Sequence, residues 1–190
     1  LKIAFIDTET TGINPKENGL VQIACIVTEN GEELGTFNHS VCTFEKDLIT
    51  LEALQVTGLT EQEIKSFPDP ISAHRSFTDF LCQFVDKFDK ADKMIFSGYN
   101  AKFDQDFLRE WFHKCGDNYF GSFFWSPPMD VMSLAISKLM DKRPGMLNFK
   151  LGTVAQEMGI ALEAESLHDA LYDIRTTIKI YDCLKGSTIQ

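Results

Sequence analysis

The feature that most limits what this chain can fold into is a change of hydrophobic period part-way along it. Up to residue 44, β-branched and aromatic residues gather in three runs, 2–7, 19–28 and 33–44, separated by the Gly-containing turns NPKENG and ENGEELG. Three runs with short connections predict a strand meander. Beyond it Ile71, Phe77, Phe80, Leu81, Phe84, Val85 and Phe88 recur at three and four residues, predicting an amphipathic helix that begins near Pro70. MIFSG, residues 94–98, then reads as a short buried strand. Further helices are predicted over 101–115, 130–140, 149–158 and 169–184. A strand embedded among helices after a run of strands implies an α/β layer structure, a mixed sheet covered by helices. No repeat, low-complexity tract or linker interrupts the pattern, so residues 1–190 are expected to form a single domain.

Within that frame the first strand, LKIAFIDTETTG, carries two acids where a core strand should be apolar. Side chains alternate faces along a strand, so Ile3, Phe5, Asp7 and Glu9 share one side while Ala4, Ile6 and Thr8 share the other. Two carboxylates held side by side repel, and burying either is costly without a partner; a divalent cation between them removes both objections. Asp104 repeats the conflict, because Phe107, Leu108 and Trp111 at i+3, i+4 and i+7 put it on the apolar stripe of its helix. In the last helix Asp173 stands at the margin of the buried side, in a strip with Ala170, Thr177 and Ile180. His168, five residues earlier, belongs to the loop or first turn before that helix, with Ser166 or Asp169 available as a cap. An imidazole with an ordinary pKa near ~6.5 suits proton removal from a metal-bound water.

Composition sets outer bounds on partners and compartment. The chain is 44% hydrophobic with 16 Phe, enough for an unstapled core. A net charge of −10 argues against a broad basic surface that holds nucleic acid by counterion release alone. A local, metal-dependent nucleic-acid site remains open, since bound cations neutralise carboxylates. Five scattered cysteines without a C-x-x-C pair suggest neither zinc nor a redox couple, and a reducing, cytoplasmic location is expected. No apolar run approaches the ~18 residues of a membrane span. The N-terminus lacks a basic region followed by a hydrophobic stretch, and a start at Leu1 leaves open that the sequence is trimmed.

Three separated segments together resemble the DEDDh family of 3′-to-5′ exonucleases, which includes the proofreading epsilon subunit of bacterial DNA polymerase III and ribonuclease T. FIDTETTG (residues 5–12) is similar to the first motif, NAKFDQDFL (100–108) to the second, and HDALYD (168–173) to the third, H-x-A-x-x-D. VTGLT, MDVMSLA and FKLGTVAQEMGI resemble the connecting segments, so the likeness runs nearly the whole length. The resemblance implies a ribonuclease H-like fold, a five-stranded mixed sheet flanked by helices. It also implies two divalent cations, Mg²⁺ or Mn²⁺. Asp7, Glu9 and Asp173 would hold one, Asp7 would bridge to the second, and Asp104 would support that second ion directly or through water. Hard all-oxygen ligands agree with those metals. By the same resemblance His168 is the general base. Thr10, Thr11, Gly12 and Ile13 approach the terminal nucleotide, with Gly12 leaving room for it and Ile13 wedged against its base. Many relatives have His where Tyr99 precedes Asn100 here, so Tyr99 is expected to donate a hydrogen bond or stack in its place.

The implied activity is removal of nucleoside monophosphates from single-stranded or frayed DNA ends, in proofreading or repair and with a possible polymerase or repair-complex partner. Trimming of RNA ends is the alternative. A different class is a non-catalytic metal-binding or protein-interaction module. DTETTGINPKEN offers oxygens at calcium-loop positions one, three and five, but Asn18 stands where a bidentate Glu is needed. The aromatic segment 118–128 matches no family motif. For Tyr119, Phe120, Phe123, Phe124 and Trp125 core packing or a partner patch is preferred to base stacking. Lys142, Arg143 and Lys150 are read as a solvated loop rather than as phosphate contacts.

Overall fold

In the computed structural model, which describes residues 1–162 and 169–186, the predicted meander is formed by β1 (Lys2–Thr10), β2 (Leu20–Glu29) and β3 (Glu32–Ser40). The MIFSG run is β4 (Met94–Gly98), and a fifth strand, β5 (Phe124–Asp130), completes one sheet in the order β3-β2-β1-β4-β5. The first three strands pair antiparallel; β1 with β4 and β4 with β5 pair parallel. The sheet is therefore mixed, with β1 at its centre. Its fifth strand lies inside the aromatic segment that matched no motif. FWSPPMD has neither alternation nor a continuous apolar run, so nothing local to it signals a strand.

Helices follow in the order α1 (Leu51–Thr57), α2 (Glu61–Ser66), α3 (Pro70–Leu81), α4 (Ala101–Lys114), α5 (Phe120–Phe123), α6 (Val131–Leu139), α7 (Leu151–Glu157) and α8 (Ala170–Gly186). A 3₁₀ turn (Met140–Gly145) links α6 to the segment before α7. Helix α3 starts at Pro70 behind the N-cap Asp69 but stops at Leu81, short of the predicted Phe88, which is 86% exposed. The Asp86 carboxylate accepts from the Phe88 amide, and Asp92 accepts from the Asp86 amide, giving this stretch turns in place of helix. Helices α1 and α2 were not signalled by periodicity; each is a short turn behind a Thr cap, Thr50 and Thr60.

Parity along β1 divides the core in two. Ala4 and Ile6 pack with Ile23, Cys25, Phe77, Phe96, Leu108 and Phe112 under α3 and α4. Phe5 packs with Ala24, Ile26, Val131, Val154, Ile174 and Ile180 under α6, α7 and α8. Phe120, Phe123 and Phe124 are at most 3% exposed and belong to the first core, as their packing reading expected, whereas Tyr119 and Trp125 are exposed and do not. Among the described residues no helix is long and apolar enough to cross a membrane.

Candidate active site

The register of the sheet opens a crevice at the end of β1. Pairing with β4 ends at Phe5 opposite Ser97, while β1 continues to Thr10 against β2, with Asp7 opposite Ala24 and Glu9 opposite Gln22. Asp7 and Glu9 thus lie beyond the last β4 pair, at the carboxyl ends of the parallel strands, where α/β sheets place their sites. Both share a face with Phe5, the face covered by α8, whose first turn carries Asp173. Strand pairing through Asp7 and Glu9 also removes the calcium-loop reading, which needs that segment to turn back on itself.

Asp104 arrives from the opposite side of the sheet. It is 3% exposed on the first turn of α4, and its Oδ1 accepts from the Thr8 amide at 2.9 Å and the Thr8 hydroxyl at 2.8 Å. Thr8 sits between Asp7 and Glu9 in sequence but points to the α4 face, so one residue of β1 anchors the acid of the other layer. Parity alone could not find that partner, 96 residues away in sequence.

The charges of three elements, β1, α4 and the start of α8, act on one another. Burial first, then the charges of Asp104, Glu9, Asp173 and Asp169 push the Asp7 carboxyl well above the ordinary range. Burial, then Asp173, Asp104 and Asp169, raise Glu9 to about 7. Burial raises Asp104 to about 7 against the lowering pull of the two Thr8 hydrogen bonds. Asp169, considered from sequence only as a cap, does cap α8 through the Tyr172 amide at 2.9 Å, and it adds charge to the cluster as well. Among the described residues no three His, Cys, Asp or Glu side chains stand at metal-holding spacing. The donor set is nonetheless all carboxylate, with Asp104 buried and Asp7, Glu9 and Asp173 half-buried, and mutually repelling, which is the chemistry that a hard divalent cation relieves. His168 lies outside the described residues.

A groove of about 730 Å³ leads away from the acids, lined by Glu9, Thr10, Gly12, Ile13 and Phe103 on one side and Leu48, Ala53, Val56 and Thr57 of the α1 wall on the other. Thr10, Gly12 and Ile13 therefore face it, and Ile13 is 87% exposed at its rim. Thr11 does not: it is buried, its hydroxyl donating to the Leu48 carbonyl at 2.6 Å and accepting from the Gly19 amide at 2.8 Å. The need for glycine at position 12 also has an internal cause. A Cβ there would lie 2.4 Å from the Asn18 side chain, so Gly12 makes room for its own loop.

Tyr99 and Asn100 occupy the β4–α4 junction. The Tyr99 hydroxyl donates to the Phe149 carbonyl at 2.6 Å and its ring packs into the second core, so both are engaged within the fold. Asn100 is exposed in the left-handed region at φ 66°, a conformation Asn tolerates. Its amide is held by the Asp130 carboxylate at 2.9 Å. Lys142 pairs with Glu157 at 2.8 Å and Arg143 donates to the Met146 carbonyl at 2.6 Å, as befits local loop contacts.

The order and mixed pairing of this five-stranded sheet, flanked by helices, define a ribonuclease H-like α/β domain. The chain belongs to the RNase T exonuclease family, whose sequence profile matches residues 4–181. Its relatives include the 3′-5′ DNA exonuclease Cap18 of Escherichia coli, 27% identical over 93% of this chain and 87% of that protein. A PolC-type DNA polymerase III of Thermotoga petrophila is 25% identical over 93% of this chain but only 11% of its own length, so the chain spans a small part of such polymerases. The fold matches that of Escherichia coli exonuclease I, solved in complex with a dT13 oligonucleotide, with a TM-score of 0.78 at 21% identity. That alignment covers 97% of this chain and 41% of exonuclease I.

Proposed function

We propose that this chain is a metal-dependent 3′-to-5′ exonuclease that releases nucleoside monophosphates from single-stranded or frayed DNA ends. The observation that carries the reading is the mutual charge repulsion of Asp7, Glu9, Asp104 and Asp173 from three elements, beside a groove that Glu9 also lines. Asp7, Glu9 and Asp173 would hold one divalent cation, and Asp7 with Asp104 a second, Mg²⁺ or Mn²⁺. When bound, such a pair lowers the pKa of the attacking water and stabilises charge on the leaving 3′ oxygen. The chain's own groups supply the rest. His168 takes the proton from the water. Ile13, Val56 and Phe103 offer apolar surface to the terminal bases, while Thr10 and the Gly12 backbone approach the sugar-phosphate. DNA is preferred because the Cap18 relative, matched over most of its length, is described as a DNA exonuclease.

The chain is proposed to act as one cytoplasmic catalytic unit, and a polymerase partner is suggested by the PolC-type relatives. The assay uses 5′-labelled single-stranded DNA and RNA with Mg²⁺ or Mn²⁺. A metal-dependent ladder from DNA, abolished by chelator, is expected; shortening of neither polymer overturns the reading, and shortening of RNA alone overturns the substrate.

A further inference from the structure

The far end of α4 carries a part-buried ion pair that has no part in the acid cluster. The Lys114 ammonium donates to Asp47 Oδ1 at 2.6 Å and to the Asn18 carbonyl at 3.0 Å, and the two side chains are only 18% and 5% exposed. The other Asp47 oxygen accepts from the Phe44 amide at 3.1 Å. Each partner is thus hydrogen-bonded as well as charged, the condition under which a buried pair holds its geometry.

What the pair grips is the foundation of the groove wall. The loop after β1 and the segment leading into α1 are laced together: Asn18 bridges to Leu48, the Leu48 amide donates to the Glu17 carbonyl at 2.7 Å, and the Thr50 amide donates to the Thr11 carbonyl at 2.9 Å. Thr50 then caps α1. Lys114 takes one acceptor from each side of this lacing. From behind, Gly19 permits the close approach, since a Cβ there would lie 2.8 Å from Asp47 Oδ2 and 2.4 Å from Thr43. Helix α4 joins the two ends of the arrangement. Asp104 is in its first turn and Lys114 is its last residue, about 15 Å along a helix rising ~1.5 Å per residue.

We propose that the Lys114–Asp47 pair is a positioning clamp that registers the α1 wall of the groove against the helix bearing Asp104, and so sets how tightly a single-stranded 3′ end is held. It rests on the exonuclease reading for its substrate, but the clamp itself is a property of the free protein. Lys114→Met is expected to raise KM for single-stranded DNA about tenfold with kcat within about twofold, assayed well below its Tm, because misplaced binding groups weaken capture without touching the acids. Lys114→Arg keeps the charge and the reach to two acceptors, and is expected to restore KM to within about twofold.

Hydrogen exchange on the metal-free protein supplies an arm that needs no activity. In Lys114→Met the Leu48 and Thr50 amides are expected to lose protection while β1 and the first turns of α4 keep theirs. Should Lys114→Met fail to fold, Lys114→Gln combined with Asp47→Asn leaves no lone buried charge and carries the same expectations. An unchanged KM, a fall in kcat alone, or unchanged protection at Leu48 and Thr50 overturns the clamp. Inactivity of the wild type overturns the exonuclease reading instead, and the exchange result still decides the clamp.

Discussion

At the scale of single residues the site is a contest between repulsion and hydrogen bonding, and Thr8 shows how close the balance is. Its amide and hydroxyl both donate to Asp104 Oδ1, opposing the burial that raises the carboxyl to about 7. Thr8→Val keeps the shape and the amide but deletes one donor to a charged group, a loss of about 1.5–3 kcal/mol. The Asp104 pKa should then rise further, and the half-activating Mg²⁺ concentration should increase at pH 7 and recover at pH 8.5, in a metal titration of activity. A Mg²⁺ requirement identical to wild type at both pH values would refute the role of the hydroxyl. By contrast, Asp7→Ala and Asp173→Ala remove charge from the cluster rather than packing from either core. Each should lower cleavage more than ~100-fold with an unchanged circular dichroism spectrum; wild-type rates in folded variants would refute the ligand assignments.

At the scale of elements, Asp130 does more than start α6. Its carboxylate accepts from the Met132 amide and the Ser133 hydroxyl in α6, and from the Asn100 and Ala101 amides at the start of α4. One acid caps two helices, and one of them carries Asp104. With a single cap contributing typically ~1 kcal/mol, Asp130→Ala should destabilise the protein by about 2–3 kcal/mol in urea unfolding, against about 1 for a residue capping α6 alone. The sequence marks residue 130 as a helix start, but nothing near it names the second helix.

The same distinction runs through the molecule: what depends on local period was legible, and what depends on contacts distant in sequence was not. Parity placed Asp7 and Glu9 together on β1, and the apolar stripe singled out Asp104. The interior partner of Tyr99, the Leu48 carbonyl that holds Thr11 and the reach of Asp169's charge to Asp7 all depend on segments dozens of residues apart, and the cause of Gly12, though only six residues away at Asn18, shows only once the loop is closed. β5 was hidden because a strand paired along one edge, with two prolines, needs no alternation. The stop of α3 at Leu81 was missed because apolar spacing continued past it, while Asp86 and Asp92 took the backbone into turns.

At the scale of the whole molecule, holding like charges together makes folding stability depend on pH and on metal. Asp7, Glu9 and Asp104 all have carboxyl pKa values raised in the folded state, the last two to about 7, above ordinary values of 3.8 to 4.5. A carboxyl raised in this way contributes stability fully below its unfolded pKa, and that contribution is lost as pH climbs through the folded value. The metal-free protein should therefore lose stability as pH rises from 6 to 8. Burial lowers the His74 pKa and so works the opposite way near pH 6, while the buried Cys25 thiol adds to the loss only toward its own high range. Both groups are equally present in Asp7→Asn, so the comparison with that variant isolates the acid cluster. Melting in chelator should give a wild-type Tm that falls from pH 6 to pH 8 and a smaller fall for Asp7→Asn. Saturating Mg²⁺ should raise the wild-type Tm more at pH 8 than at pH 6, because only ionised carboxylates hold it. A wild-type Tm that rises over this range with a slope matching that of Asp7→Asn would mean that the acids are not held against one another, and the two-cation assignment would go with them.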